Sequence, residues 1–361
     1  MPLRISTFNC ENLLSRAKVL NFDKNSDARD PLNNVAKLDA ILSKDKYSEA
    51  DKQSILELLD ALKDYVDLNE MKAKLVSKHK VDGRMQEYVK ANGRADWVGG
   101  LSLKRDELPT DAQVNTAKVI QAVGADIQCV VEVEDRPTLE TFNDGPLKRA
   151  FGYNLVIDGN DQRGIDVGVL SKVPFGRIRT HVFDPDGAPR TKRVFSRDCL
   201  ELEVVLSGAK SMFLLVNHFK SQGYGPKDSN DARRKRQADR VVEILGSYDL
   251  SNDLVVVAGD FNDKPDSAPL ASLLGIAGLT DALKKQFPDP KDRWTYKDKK
   301  QIDYLLVSAP LAEAMTKAGV ERRGMFQADK LTGGAVMPFD TVTSDTNDAS
   351  DHAAVWAEFD L

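Results

Sequence analysis

The feature that most constrains this chain is a series of short apolar runs, four to eight residues each and rich in Val, Leu and Ile, that stop on polar residues. Runs of that length are too short for core helices and fit buried strands. They fall at residues 3–8, 125–131, 153–157, 166–170, 200–206, 212–216, 254–258, 302–307 and 353–359. Helical periodicity marks 114–123, 232–245 and 268–274, and the stretch 326–350, rich in Gly, Thr, Asp and Ser, reads as a long loop. A doubly wound parallel sheet would need a crossover helix between nearly every pair of strands, and too few helices are present. The pattern predicts layered α/β architecture, with two stacked sheets and helices outside.

One segment breaks the pattern. From Val19 to Asp111 the chain is densely charged, with acidic and basic residues almost balanced. Ile55, Leu58, Leu59, Leu62, Tyr65 and Val66 follow the i, i+3, i+4, i+7 spacing of one buried helix stripe. The segment is therefore expected to be a helical insertion within a single domain spanning residues 1–361.

The 361 residues are 41% hydrophobic and 30% charged, which suits a globular chain with a sizeable core. Cys10, Cys129 and Cys199 are few, odd in number and set in apolar runs, so they read as buried free thiols rather than a disulfide framework. No stretch reaches the ~18 apolar residues of a membrane span, and the opening Met-Pro-Leu-Arg has no hydrophobic leader. A cytoplasmic protein without an obligate protein partner is expected. The formal net charge is −5, yet residues 172–240 hold 15 Lys+Arg against 8 Asp+Glu, so a basic face on an acidic body could draw a phosphate-bearing ligand. Clustering along the chain could equally disperse on folding.

The polar residues that end the runs are of catalytic types. The first run ends in Asn9 and Glu11, the second in Glu132 and Glu134, and a later one in Asn217-His218 followed by Lys220 and Ser221. Another ends in Gly259-Asp260-Phe261-Asn262, a further one holds Asp303, and Ser350-Asp351-His352 precedes the last. Strand ends are rims from which side chains emerge toward a shared cleft. One such carboxylate would be an ordinary turn former, but six endings supplying Asn, Glu, His and Asp describe a site. Two of the four histidines stand there; His79 and His181 are expected at the surface.

The ordered set Thr7-Phe8-Asn9-Cys10-Glu11-Asn12-Leu13, Val131-Glu132-Val133-Glu134, Arg163-Gly164-Ile165-Asp166-Val167-Gly168-Val169-Leu170, Asn217-His218-Phe219-Lys220-Ser221, Gly259-Asp260-Phe261-Asn262, Ile302-Asp303-Tyr304 and Ser350-Asp351-His352 resembles the endonuclease/exonuclease/phosphatase superfamily, the group with the pancreatic deoxyribonuclease fold. The stretch from Asn217 to Gly223, with the basic run Arg233-Arg234-Lys235-Arg236, looks like its bacterial nuclease-type branch. The resemblance implies a four-layer sandwich of two mostly antiparallel β-sheets flanked by helices. It also implies hydrolysis of phosphodiester bonds by a metal- and Asp-activated water.

In the roles so implied, Glu132, Glu11 and Asp351 hold Mg²⁺, with Mn²⁺ or Ca²⁺ possible. Asp260 activates water, Asn262 donates to the phosphoryl oxygen, and His352 is oriented by Asp303. His218 is the second imidazole, with Asp166 as its orienting carboxylate. Asn9, Asn217, Arg163 and Arg197 contact substrate phosphate, although surface salt bridges are an equal expectation for the two arginines. Glu134 is as well read as an outward rim carboxylate. Trp294 belongs in the core more readily than against a base, and Tyr296 shares that expectation. Nucleic acid, in the first place DNA, is the expected substrate. A small phosphoester or phospholipid head group is the alternative, and a non-catalytic binding module a minor one. The insertion departs from the superfamily pattern and could serve as a lid or as an outer cap.

Overall fold

Alternation along the strands decides which residues meet between the layers. The computed structural model describes residues 2–14, 17–20, 25–105, 110–161, 163–187, 192–223 and 225–361. Two compact units result, one of residues 1–14 and 108–361, the other of residues 15–107. Strand β1 (Leu3–Leu13) belongs to the larger.

The smaller unit corrects the expectation of a purely helical insertion at 19–111, in which residues 21–24 and 106–109 lie outside the described residues. Its described residues form two α-helices, α1 (Asn25–Leu42) and α2 (Glu49–Ala61), and then four strands, β2 (Val66–Lys72), β3 (Val76–Val81), β4 (Arg84–Val89) and β5 (Val98–Leu103). Helix α2 starts on a capping box between Ser48 and Asp51 and ends at Leu62, so the apolar stripe was right for its first turns only. Val66 opens a strand instead. Strands β2 and β5 pair antiparallel, as do β3 and β4, in two separate two-stranded sheets. A ribbon of two strands buries little of either face, so its sequence lacks the apolar alternation that marks a strand. Leu38, Leu42, Tyr47, Ile55, Leu62, Leu75 and Trp97 form this unit's own core.

In the larger unit the elements continue as α3 (Asp111–Val123), β6 (Ile127–Val133), α4 (Arg136–Asp144), β7 (Tyr153–Ile157), β8 (Asp166–Ser171), β9 (Phe175–Arg179), β10 (Cys199–Val205), β11 (Ser211–His218) and α5 (Lys227–Leu245). They close with β12 (Leu254–Asp260), α6 (Ala271–Leu274), β13 (Leu279–Asp281), α7 (Ala282–Gln286), β14 (Asp303–Ser308), α8 (Ala309–Ala314), β15 (Met315–Glu321), α9 (Ala328–Thr332) and β16 (Ala354–Phe359). One sheet runs β15-β16-β1-β6-β8-β7 and the other β13-β14-β12-β11-β10-β9. Each is antiparallel except for one central parallel pair, β1/β6 and β11/β12. Parallel neighbours require a crossover, and helices α3 and α5 supply the two.

The layers follow from the side chains. Ile5, Cys129, Val131 and Val355 of one sheet meet Leu214, Val216, Ala258 and Leu305 of the other in a shared core. On the outer faces, Phe8, Val130 and Leu170 pack against Ile120 and Phe142, while Leu215, Val257 and Leu306 pack against Val241 and Leu245. The result is the four-layer sandwich. All three cysteines are buried free thiols. Among the described residues, no helix is long and apolar enough to cross a membrane.

Candidate active site

The inward-facing positions that carry the shared core turn polar at one end of both sheets. On β12, Leu254, Val256 and Ala258 are core and the next inward position is Asp260. On β11 the series Met212, Leu214, Val216 leads to His218, and β14 starts inward at Asp303 before Leu305 and Val307. On β1, Ile5 and Thr7 lead to Asn9. The period-2 pattern thus delivers four polar side chains to one place, each 2% exposed or less.

The backbone is distorted around them. Glu11, Glu132 and Asn262 all have positive φ, at 42°, 63° and 55°. A non-glycine residue there is strained by roughly 1–3 kcal/mol, a pattern concentrated at functional sites. Glu11 and Glu132 lie where the β1/β6 register shifts, and the irregularity turns both carboxylates out of the regular alternation. Gly259, at φ 131°, must be glycine, because a Cβ there would lie 1.9 Å from the Asn217 carbonyl oxygen.

Asp260 is the hub. Its Oδ2 accepts the Asn9 amide at 3.1 Å and the Asn262 amide at 3.0 Å, and its Oδ1 accepts the Asn262 backbone N–H at 2.7 Å. Burial, with the nearby Asp303 charge, lifts its carboxyl to about 7. His218 Nε2 stands 3.8 Å from Asp260 Oδ2 and 3.7 Å from Glu132 Oε1, and His352 Nε2 stands 4.0 Å from Asp260 Oδ2. These separations exceed a hydrogen bond and leave room for a bridging oxygen.

The two imidazoles differ. His352 Nδ1 bonds Asp303 Oδ2 at 2.9 Å, and the same oxygen accepts the Thr295 hydroxyl at 2.6 Å. Burial opposes charge on His352, but Asp303 and Asp260 outweigh it and raise the imidazole to about 10. Ser350 fixes the backbone, donating to the Asn9 carbonyl at 2.7 Å and accepting the His352 N–H at 3.0 Å. His218 is buried, its Nδ1 has no hydrogen-bond partner among the described residues, and burial, then Arg197 and His352, pushes it well below the ordinary imidazole value.

Several expected residues stand elsewhere. Asp166 does not orient His218. It accepts the Gly159 backbone N–H at 2.8 Å, and burial raises its carboxyl to about 7. Asn217 does not face the site, because neighbours on a strand point to opposite faces. Its amide donates to the Leu215 carbonyl at 3.0 Å on the α5 side, beside Cys199. Arg163 and Arg197 share one carboxylate. Arg163 grips Asp161 through two nitrogens at 3.0 and 2.9 Å, and Arg197 Nε lies 3.3 Å from it. The basic run on α5 is largely engaged within the protein: Arg234 holds Asp263 at 2.9 Å, Lys235 Asp239 at 2.7 Å and Arg236 Asp186 at 2.9 Å.

His181 is buried rather than at the surface, between Asp184 at 2.9 Å and Glu201 at 3.0 Å. Trp294 is core, with the Arg322 guanidinium 4.2 Å from its ring centre. Tyr296 is half-buried against His352, ring centres 4.9 Å apart. Glu134 is half-buried past the register shift. Sequence reasoning did not single out Thr295. Its hydroxyl joins Asp303 by folding back across a turn, a contact for which seven intervening residues give no local signal.

Two groups could hold a divalent cation. Asp260, Asp303 and His352 each offer an atom within 4.8 Å of the others. Their facing atoms are committed to Thr295, Asn9, Asn262 and one another, and a charged imidazole is no ligand. The rim of Glu11, Glu132 and Asp351 suits a hard cation better, since every donor is a carboxylate oxygen. Glu11 Oε2 accepts the Asp351 N–H at 2.7 Å, and burial together with the Asp351 charge lifts Glu11 to about 7. That is clustered negative charge, met in part by Lys297 at 2.8 Å from Asp351, of the kind a cation relieves.

Comparisons with known proteins agree with the architecture. The chain is similar in fold to a solved endonuclease/exonuclease/phosphatase from Beutenbergia cavernae, with 18% identity, TM-score 0.50, and 69% of this chain and 66% of that one covered. It is also similar to truncated TDP2 from Caenorhabditis elegans (20%, TM-score 0.49, 69% and 90%) and to an AP endonuclease from Archaeoglobus fulgidus (16%, TM-score 0.47, 68% and 93%). No curated protein matches the chain. The model of the Endonuclease/Exonuclease/phosphatase family matches residues 101–352. With that match spanning most of the chain, the protein belongs to the endonuclease/exonuclease/phosphatase family and is a phosphoester hydrolase.

Proposed function

We propose that the chain is a divalent-metal-dependent phosphodiesterase acting on nucleic acid, in the first place a DNA endonuclease. The observation that carries this reading is the convergence of Asn9, His218, Asp260, Asn262, Asp303 and His352 around one buried carboxylate, beside an all-oxygen acidic rim. A divalent ion held by Glu11, Glu132 and Asp351, with Mg²⁺ the best match to those ligands, would polarise a phosphoryl oxygen.

The chain's own residues do the rest. Asp260, fixed by the Asn9 and Asn262 amides, orients the attacking water and takes its proton; a carboxyl near 7 is poised for that work. His352, held cationic by Asp303, balances charge developing on the equatorial oxygens. His218 stays neutral and presents Nε2 to the phosphoryl group from the opposite sheet. Arg197, Arg163 and Lys220 all bear electrostatically on His218, and Arg233 and Arg234 on Lys220. Basic side chains thus reach from the site to the start of α5, and the part of their charge not met by Asp231, Asp263, Asp239 and Asp186 favours a polyanion. The Asp161 carboxylate that shares Arg163 and Arg197 weakens this field and favours a small phosphoester instead.

A panel of divalent ions against plasmid, single-stranded DNA, RNA and phosphomonoesters decides. Nicking of plasmid with Mg²⁺, stopped by EDTA, is expected. Intact plasmid under every ion, with turnover of a phosphomonoester or a phospholipid head group, would overturn the nucleic-acid assignment and leave the hydrolase.

A further inference from the structure

The smaller unit carries a ribbon whose chemistry the catalytic site does not use. Strands β3 and β4 pair from Val76↔Val89 to Val81↔Arg84 across a two-residue turn. Asp82 and Gly83, at φ 47° and 83°, give the turn its two left-handed residues, as a type I′ hairpin requires. The ribbon pairs with no third strand, and of its twelve strand residues only Val89 is buried. A two-stranded sheet with so little core gains little stability from its side chains. Their identities are therefore free to serve something else.

Those identities are specific. Residues 72–94 contain seven Lys or Arg and two Asp or Glu, a net of +5 within a chain whose net charge is −5. Lys78 pairs with Glu87 at 2.9 Å, whereas Lys80, Arg84 and Lys90 have no ion pair among the described residues. Register and alternation place Ser77, His79, Gln86, Tyr88 and Arg84 on one face. On that face the His79 and Tyr88 rings lie 4.7 Å apart, tilted by 48°, with His79 exposed and Tyr88 half-exposed. Two aromatic rings, an amide and a guanidinium on one exposed face, with exposed Lys90 two residues beyond Tyr88, combine base stacking with phosphate attraction. An acidic peptide would answer the charge but leave the aromatic pair unused.

We propose that the β3–β4 hairpin is a binding surface for single-stranded nucleic acid, with His79 and Tyr88 stacking on bases and Arg84 and Lys90 contacting phosphates. The ligand class takes from the preceding section only that the protein handles phosphodiesters. Binding here is separate from hydrolysis at Asp260 and needs no metal.

The test is fluorescence anisotropy of a labelled mixed-sequence 20-nucleotide single strand with the full chain in EDTA, across a series of salt concentrations. Wild type is expected to bind with a salt dependence that weakens by about 0.7 in log–log slope for each phosphate-contacting cation removed. Charge reversal at exposed sites, R84E with K90E, is expected to weaken binding tenfold or more while leaving the melting temperature unchanged. H79A is expected to weaken binding roughly fivefold or more, through loss of stacking. Equal affinity of wild type and all three substitutions overturns the proposal, whether or not the protein cleaves DNA. So does binding to anionic vesicles that is hairpin-dependent while oligonucleotide binding is not. Hairpin-dependent binding in a protein that hydrolyses no DNA upholds it and instead removes the nuclease reading.

Discussion

His218, at the end of β11, and His352, just before β16, approach the same Asp260 oxygen at 3.8 and 4.0 Å, yet their surroundings oppose each other. His352 has a carboxylate behind it, Asp303, itself steadied by Thr295. His218 Nδ1 is buried with no hydrogen-bond partner among the described residues, and Arg197 bears on the ring electrostatically. The difference teaches how one small site can carry two imidazoles in different protonation states around one carboxylate. The charged ring suits electrostatic stabilisation, and the neutral one suits donation or acceptance of a proton.

Removing the shared carboxylate collapses the distinction and carries the largest effect. Asp260→Asn is expected to lower kcat for phosphodiester hydrolysis by roughly a thousandfold, a sizeable share of a general-base contribution, with the fold intact by circular dichroism. Asp303→Asn attacks one side alone, and a loss of about a hundredfold is expected in the same assay. Its stability effect has a defined pH window. The folded imidazole of His352, at about 10, lies above the ordinary value near 6.5, so the native state holds more protons between those limits. The pair's stabilisation is fully present below about 6.5 and is lost as pH rises through about 10. Melting temperatures of wild type and Asp303→Asn in metal-free protein are therefore expected to differ most at pH 6 and to converge above pH 10. A smaller effect belongs to Thr295→Val, which strips a hydroxyl from Asp303. A loss of about tenfold or less is expected, with activity recovered in Thr295→Ser, and equal rates for Val and wild type would remove Thr295 from the account.

Much of this site was legible because strands announce themselves by length and direct side chains by alternation. Asp260, His218, Asp303 and Asn9 occupy the end inward positions of their strands, and the polar ending is visible in the sequence, whereas His352 lies two residues before β16 and outside its inward series of Val355, Ala357 and Phe359. Asn217 and His218 show the limit of quoting a motif whole. Adjacent strand residues cannot both face one cleft, and only His218 does. Asp166 fails for a similar reason, its carboxylate serving the turn at Gly159. Arg163 and Arg197 were placed by type, but a short-range contact with Asp161 decides what their guanidiniums meet. The insertion was half legible. Helix α2 follows its apolar stripe, while strands β3 and β4 have no buried face to write a pattern on. The charge excess of residues 72–94 was present in the composition but hidden by the acidic residues on either side.

The contrast between the two imidazoles is open to direct observation. Proton NMR titration of the metal-free protein from pH 5 to 10.5, with resonances identified through His218→Gln and His352→Gln, follows each ring separately. His352 is expected to remain charged through neutral pH and lose its proton near 10, while His218 remains uncharged across the whole range. Two ordinary titrations near 6.5, or the reverse order, would contradict the division of roles around Asp260.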